Sequence, residues 1–87
     1  MEVKDMTQKE KVISYMTKYG VITTKDATDD LWIMDLQGVI RNLRNAGYVI
    51  YDRWIKSRDS RYKAYAFKKK YLDDYEMLQN ERLLQNV

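Results

Sequence analysis

The sequence predicts a mainly helical α+β domain: three helices, one small β-hairpin and a fourth, C-terminal helix. Three observations carry this. Thr7 with Glu10, and Thr23 with Asp26, form S/T-x-x-E/D boxes that open helices early in the chain. Leu36, Val39, Ile40 and Leu43 then recur at the i, i+3, i+4, i+7 spacing of a buried helical stripe. After Gly47 the period changes to two, and the residues become aromatic and β-branched.

Residues 1–6 are polar and are read as a flexible N-terminus, residues 7–68 as the domain, and residues 69–87 as a C-terminal helix. In the first helix the Thr7 hydroxyl meets the amide three residues on and Glu10 reaches back. Val12, Ile13, Met16 and Tyr19 form its inward face, and Gly20 stops it, because the position past a helix end often needs positive φ. Residues 21–23 suffice for a strand stub. The second helix runs from near Thr24 to about Leu31 with Ala27 and Leu31 inward, and Ile33 plugs the turn that follows.

The third helix covers residues 35–46, with Met34 standing where a Ser, Thr or Asp cap is usual. Gln37, Gly38, Arg41, Arg44 and Asn45 point away from its apolar stripe. An apolar back with an amide and guanidinium front suits a helix that lies in a DNA groove. Residues 48–55 read as a strand, with Tyr48, Ile50, Asp52 and Trp54 on one face and Val49, Tyr51, Arg53 and Ile55 on the other. A polar turn over 56–60 leads to a return strand over 61–67, so the hairpin tip carries Lys56, Arg58, Arg61 and Lys63. Tyr48, Tyr65 and Phe67 are assigned to hairpin packing. From Tyr71 the chain is helical again, with Asp73 and Asp74 in the favourable first turn. Tyr71, Leu72, Tyr75 and Leu78 make one stripe; Met77 and Leu84 fall nearly opposite. A helix with two apolar faces has two things to cover, so Leu72, Tyr75, Leu78 and Leu84 are the candidate dimer interface.

The 87 residues make one domain, long enough to bury roughly 60–65% of the unfolded surface. With no Cys and no His, disulfides, thiolate metal sites, Cys-His zinc sites and Ser-His-Asp catalysis are excluded. No enzyme activity, cofactor or metal is therefore expected. The carboxylates Asp26, Asp29 and Asp30 lie on the second helix, where Asp26 complements the dipole. No apolar run approaches the roughly 20 residues of a membrane span, and the N-terminus lacks a signal-peptide pattern. A cytoplasmic protein is expected. Charge is segregated. Residues 1–35 hold five Lys against seven acids, a net of −2. Residues 36–70 hold ten Lys or Arg against Asp52 and Asp59, a net of +8. Residues 71–87 hold Arg82 against four acids, a net of −3. A basic block of this kind is the footprint expected for phosphate binding.

The order is helix, strand stub, helix, tight turn, helix, basic hairpin. In that order, and in TQKEKVISYM at residues 7–16, GVITTKDA at 20–27 and IRNLRNAGY at 40–48, the chain resembles the winged helix-turn-helix family. It looks most like the small members found in bacteriophages and prophages. The resemblance covers about residues 7–67. It implies that the second helix crosses the phosphate backbone and that the third is the recognition helix in the major groove. Gln37, Gly38 and Arg41 would then lie nearest the bases and Arg44 and Asn45 nearer the backbone. The hairpin would be the wing, with Lys56, Arg58, Arg61 and Lys63 near phosphates or an adjacent minor groove. Arg can make two bonds to guanine O6 and N7, and Gln two to adenine N6 and N7. Gly38 costs roughly 0.5–1 kcal/mol of helix stability against Ala, which close approach to a base would explain. Trp32 stands in a turn where such motifs often carry Gly.

Two functions fit. One is the DNA-binding module of a phage or prophage regulator in the bacterial host cell, with double-stranded DNA as partner and homodimers on paired half-sites. The alternative is a phage-encoded protein-interaction module that inhibits a host protein or nuclease complex. The acidic first half, the eight Tyr and two Trp, and the two-faced last helix point to it.

Overall fold

The Thr7 box forms in both directions. Thr7 Oγ1 accepts the Glu10 amide at 3.2 Å, and the Glu10 carboxylate accepts the Thr7 amide at 3.1 Å. They open α1 (Gln8–Tyr19), which ends at Gly20 with φ 87°. The structure is a computed structural model describing residues 6–85, with side chains described as far as Arg82. The flexible segment expected at residues 1–6 thus lies outside the described residues except for Met6, and so does the side chain of Leu84.

β1 (Ile22–Thr23) is the expected stub. α2 (Thr24–Leu31) starts from the second reciprocal box, with Thr23 and Asp26 exchanging bonds of 3.1 and 3.0 Å. It ends at Trp32 in a left-handed backbone conformation, φ 59°, and the next amide, Ile33 N–H, donates back to Ala27 O at 2.9 Å. The Trp32 amide donates to the same carbonyl, so Ala27 O closes the end of α2, and Ala27 and Ile33 are buried together. Ile33 is therefore the plug that its apolar character predicts.

α3 (Leu36–Asn45) buries Leu36, Val39, Ile40 and Leu43. Its cap is Asp35, not Met34: the Asp35 carboxylate accepts the Gly38 amide at 3.1 Å. Asp35 was expected inside the helix, yet its short acceptor side chain does the work of the missing Ser or Thr. The hairpin also starts later than expected. β2 is Tyr51–Lys56 and β3 is Arg61–Ala66. Tyr48, Val49 and Ile50 stay outside the sheet. Tyr48 N–H donates to Leu43 O at the end of α3, and Ile50 O accepts from Arg44. The register pairs Tyr51 with Ala66, and α4 (Lys69–Gln85) begins three residues later, which leaves no strand opposite residues 48–50. α4 begins two residues before the predicted Tyr71, so Asp73 and Asp74 miss its first turn and lysines occupy it.

The sheet is antiparallel in the order β1-β3-β2. Side chains alternate across it into two cores. Ile22 and Tyr65 join Val12, Met16, Ala27, Ile33 and the α3 stripe beneath α1 to α3. Val21, Ile55, Ala64 and Ala66 meet Leu72 of α4 on the other side. Tyr19 departs from its predicted inward place. It is the last residue of α1, exposed, with its ring 4.6 Å from that of Tyr15.

Candidate nucleic-acid interface

Gln37, Arg41 and Asn45 are four residues apart on α3, so they form one exposed line opposite the buried stripe. Beside them runs the sheet face on which Asp52 pairs with Tyr65, Trp54 with Lys63 and Lys56 with Arg61. Between helix and sheet lies a concavity of about 360 Å³, lined by Gln37, Ile40, Arg41, Arg44, Asn45, Lys63 and Tyr65. Three cations face one carboxylate there. Asp52 accepts from Arg44 at 3.1 Å and sits 3.6 Å from Lys63 Nζ. The buried Tyr65 closes the floor. Burial pushes the Tyr65 hydroxyl above the usual phenol range, and Asp52 adds to this.

The hairpin tip is closed by the Ser57 amide and hydroxyl, which both donate to Ser60 O at 2.7 and 2.8 Å. Trp54, Lys56, Ser57, Arg58, Asp59, Ser60 and Arg61 surround a second concavity of about 510 Å³. The Trp54 ring has the Arg61 guanidinium 5.0 Å and the Lys63 ammonium 5.4 Å from its centre, a cation–π arrangement that holds the indole on the cationic face.

A family model described as a winged helix-turn-helix domain matches residues 7–70. The chain belongs to the winged helix-turn-helix family. No curated protein and no solved structure matches it. In the terms of the family, α2 and α3 are the helix pair and β2–β3 is the wing, and a domain of this kind suggests DNA binding.

The residues predicted for the winged-helix DNA site fall in two places. Gln37, Arg41, Arg44, Asn45 and Lys63 come together in the groove between α3 and the wing. Lys56, Arg58 and Arg61 gather at the wing tip. Arg44 and Gly38 also have work within the chain. Arg44 donates from Nε and a terminal nitrogen to Ile50 O, at 3.2 and 2.6 Å, and so ties α3 to the approach to β2. Gly38 leaves room for the cap: a Cβ there would stand 3.0 Å from Asp35 Cγ. Trp54 and Tyr65 were not singled out as site residues. The period-two alternation had put Trp54 on the face of Asp52, but Tyr65 needed the register of the return strand.

The acids on the helix pair are mostly engaged. Asp26 returns its bond to the Thr23 amide, Asp35 holds the Gly38 amide, and Asp30 accepts from the Tyr15 hydroxyl at 2.8 Å. Burial, and then this bond, push the Tyr15 hydroxyl above its ordinary range. Asp29 is exposed. Among the described residues no group of three or more carboxylates is placed to hold a metal ion, and no helix is long and apolar enough to cross a membrane.

The stripe predicted for self-association divides. Leu72 is 1% exposed under the sheet. Tyr75 is half-buried, its hydroxyl 3.1 Å from that of Tyr62. Both cover the chain's own sheet. Leu78 and Met77 are exposed, and the Leu84 side chain lies outside the described residues.

Proposed function

We propose that the chain is the DNA-binding module of a phage- or prophage-type regulator that acts in the cytoplasm of a bacterial host. α3 enters the major groove of double-stranded DNA and the wing, residues 56–63, lies on the backbone. The observation that supports this best is the joining of the exposed line of α3 to the cationic face of the wing in one groove, where Arg41, Arg44 and Lys63 outnumber Asp52. Arg41 and Gln37 have the donors for two-bond contacts to guanine and adenine. Arg44 and Lys63, already held by Asp52, present their remaining donors to phosphate. Lys56, Arg58 and Arg61 add charge that steers the duplex without reading sequence. Binding of this kind needs no cofactor and makes no covalent bond.

The test is a titration with duplex DNA at several salt concentrations. Affinity is expected to fall steeply as salt rises, because each phosphate contact releases counterions. If no binding is seen at low salt near 100 micromolar, weaker than roughly the usual non-specific range, the proposal is wrong.

A second reading, a module that binds a host protein, draws on a separate observation. Trp32 and Met34 are exposed in the turn between α2 and α3, close in the chain to the exposed Asp29. A partner captured from host lysate that survives nuclease treatment would favour it; loss of the partner with the nucleic acid would count against it.

A further inference from the structure

The turn between α2 and α3 breaks local rules that the rest of the chain keeps. Trp32 is the one non-glycine residue with positive φ among the described residues. That backbone conformation disfavours any L side chain. The turn itself is held by the bond from Ile33 N–H to Ala27 O and by the burial of both residues, so the fold does not call for an indole there. The Trp32 side chain is 85% exposed and Met34 is 80% exposed. The last turn of α2 carries no basic residue, and Asp29 and Asp30 lie at the negative end of its dipole, where acids are unfavourable. Strained backbone and adverse charge at one exposed place mark functional surfaces. Asp30 is held by Tyr15, so the result is an apolar knob that follows the exposed carboxylate of Asp29.

The same chain carries the complement. The wing-tip concavity of about 510 Å³ is ample for an indole and is lined by Trp54, Lys56, Arg58, Asp59 and Arg61, with Lys56 directly across from Arg61. We infer that the Trp32–Met34 turn of one molecule docks on the wing tip of a second copy, head to tail. An inserted Trp32 ring meets cations on its face, and Asp29 approaches Lys56 and Arg61 of the rim. The two patches differ, so the contact does not use itself up. Each added copy brings another turn and another wing, and the assembly grows as a ring or a filament rather than stopping at a dimer. This does not rest on DNA binding. The wing tip is also where the proposed function sets phosphates, so nucleic acid would compete and the test excludes it.

The experiment is sedimentation velocity on the full chain, freed of nucleic acid, in low salt up to millimolar concentration. The mean mass is expected to rise past that of a dimer. Trp32→Gly suits the left-handed backbone and removes the indole, so it should keep the far-ultraviolet circular dichroism spectrum and sediment as a monomer. The wing variant Lys56→Glu/Arg61→Glu should also be monomeric. An equimolar mixture of the two should give heterodimers and nothing larger, because one intact turn and one intact wing remain between them. A monomeric wild type overturns the inference. So does a wild type that stops at a dimer, a Trp32→Gly protein that associates as the wild type does, or a mixture that stays monomeric.

Discussion

The two faces of the β2–β3 hairpin handle charge in opposite ways. On the face beneath α4, Arg53 meets both Asp73 and Glu76, and Ile55, Ala64 and Ala66 are sealed by Leu72. Cation and acid are matched there and the apolar surface is closed. On the face beside α3, one acid, Asp52, serves Arg44 and Lys63. Trp54 is half exposed, and Lys56 stands directly across from Arg61. Like charges opposite each other across a strand pair are destabilising, and an anion between them would relieve this. A ribbon of six-residue strands is thus structural on one side and receptive on the other, because successive side chains alternate between them.

The closed face should break first under substitution. Leu72→Ala is expected to cost about 2–5 kcal/mol, the range for truncating a buried leucine. Urea unfolding would measure it, and a loss below about 1 kcal/mol would mean that α4 is not needed to close the core. On the open face, Arg41→Ala should leave the urea midpoint unchanged and lose about 1–3 kcal/mol of affinity for a cognate duplex if Arg41 reads a base. A uniform loss across sequences would reassign Arg41 to phosphate.

Two cations of the one hairpin give the sharpest contrast. Lys63→Ala should weaken binding to all duplexes and lower the salt slope by about one. Arg53→Ala should leave affinity and slope alone and cost up to about 1 kcal/mol of stability, since its partners are partly exposed. Equal effects of the two on DNA would erase the distinction between the faces.

The smallest effect is on pH dependence. Tyr15, Tyr65 and Tyr75 all have hydroxyls pushed upward, first by burial, with Asp30 accepting from Tyr15 and Tyr62 meeting Tyr75. The folded state therefore keeps protons that the unfolded chain gives up near its ordinary value of about 10. Their contribution is fully present below that pH and is lost as pH rises above it. Urea midpoints should fall between about pH 9 and 11, and Tyr75→Phe should make the fall shallower.

The elements legible in the sequence are those set by neighbours in the chain. Thr7 with Glu10, Thr23 with Asp26, and Gly20 act within one helical turn, and the structure has each where the spacing predicts. Residues 48–50 look like strand in sequence because Tyr, Val and Ile favour strands on any local scale, but β3 ends at Ala66 and gives them no partner. Asp35 looks helical in sequence, since its cap bond depends on a backbone angle that composition does not show. The site was legible as a set of side-chain types on faces. The groove was not, because it depends on the register of β3, which carries Lys63 and Tyr65 to α3. The use of Arg44 on Ile50 O was hidden for the same reason: a long side chain reaches a carbonyl six residues away only once the end of α3 has turned.

The strand order β1-β3-β2 also bears on the sequence of events in folding. β2 and β3 are joined by a short turn, whereas β1 meets β3 only after α2, α3 and β2 have intervened, pairing Ile22 with Tyr65. The entropy of closing that long loop falls on β1. The hairpin and the capped helices gain their contacts locally, and β1 is expected to dock late. Ile22→Val is then expected to speed unfolding and leave the folding arm of a chevron plot nearly unmoved, whereas a slowed folding arm would place β1 in the nucleus.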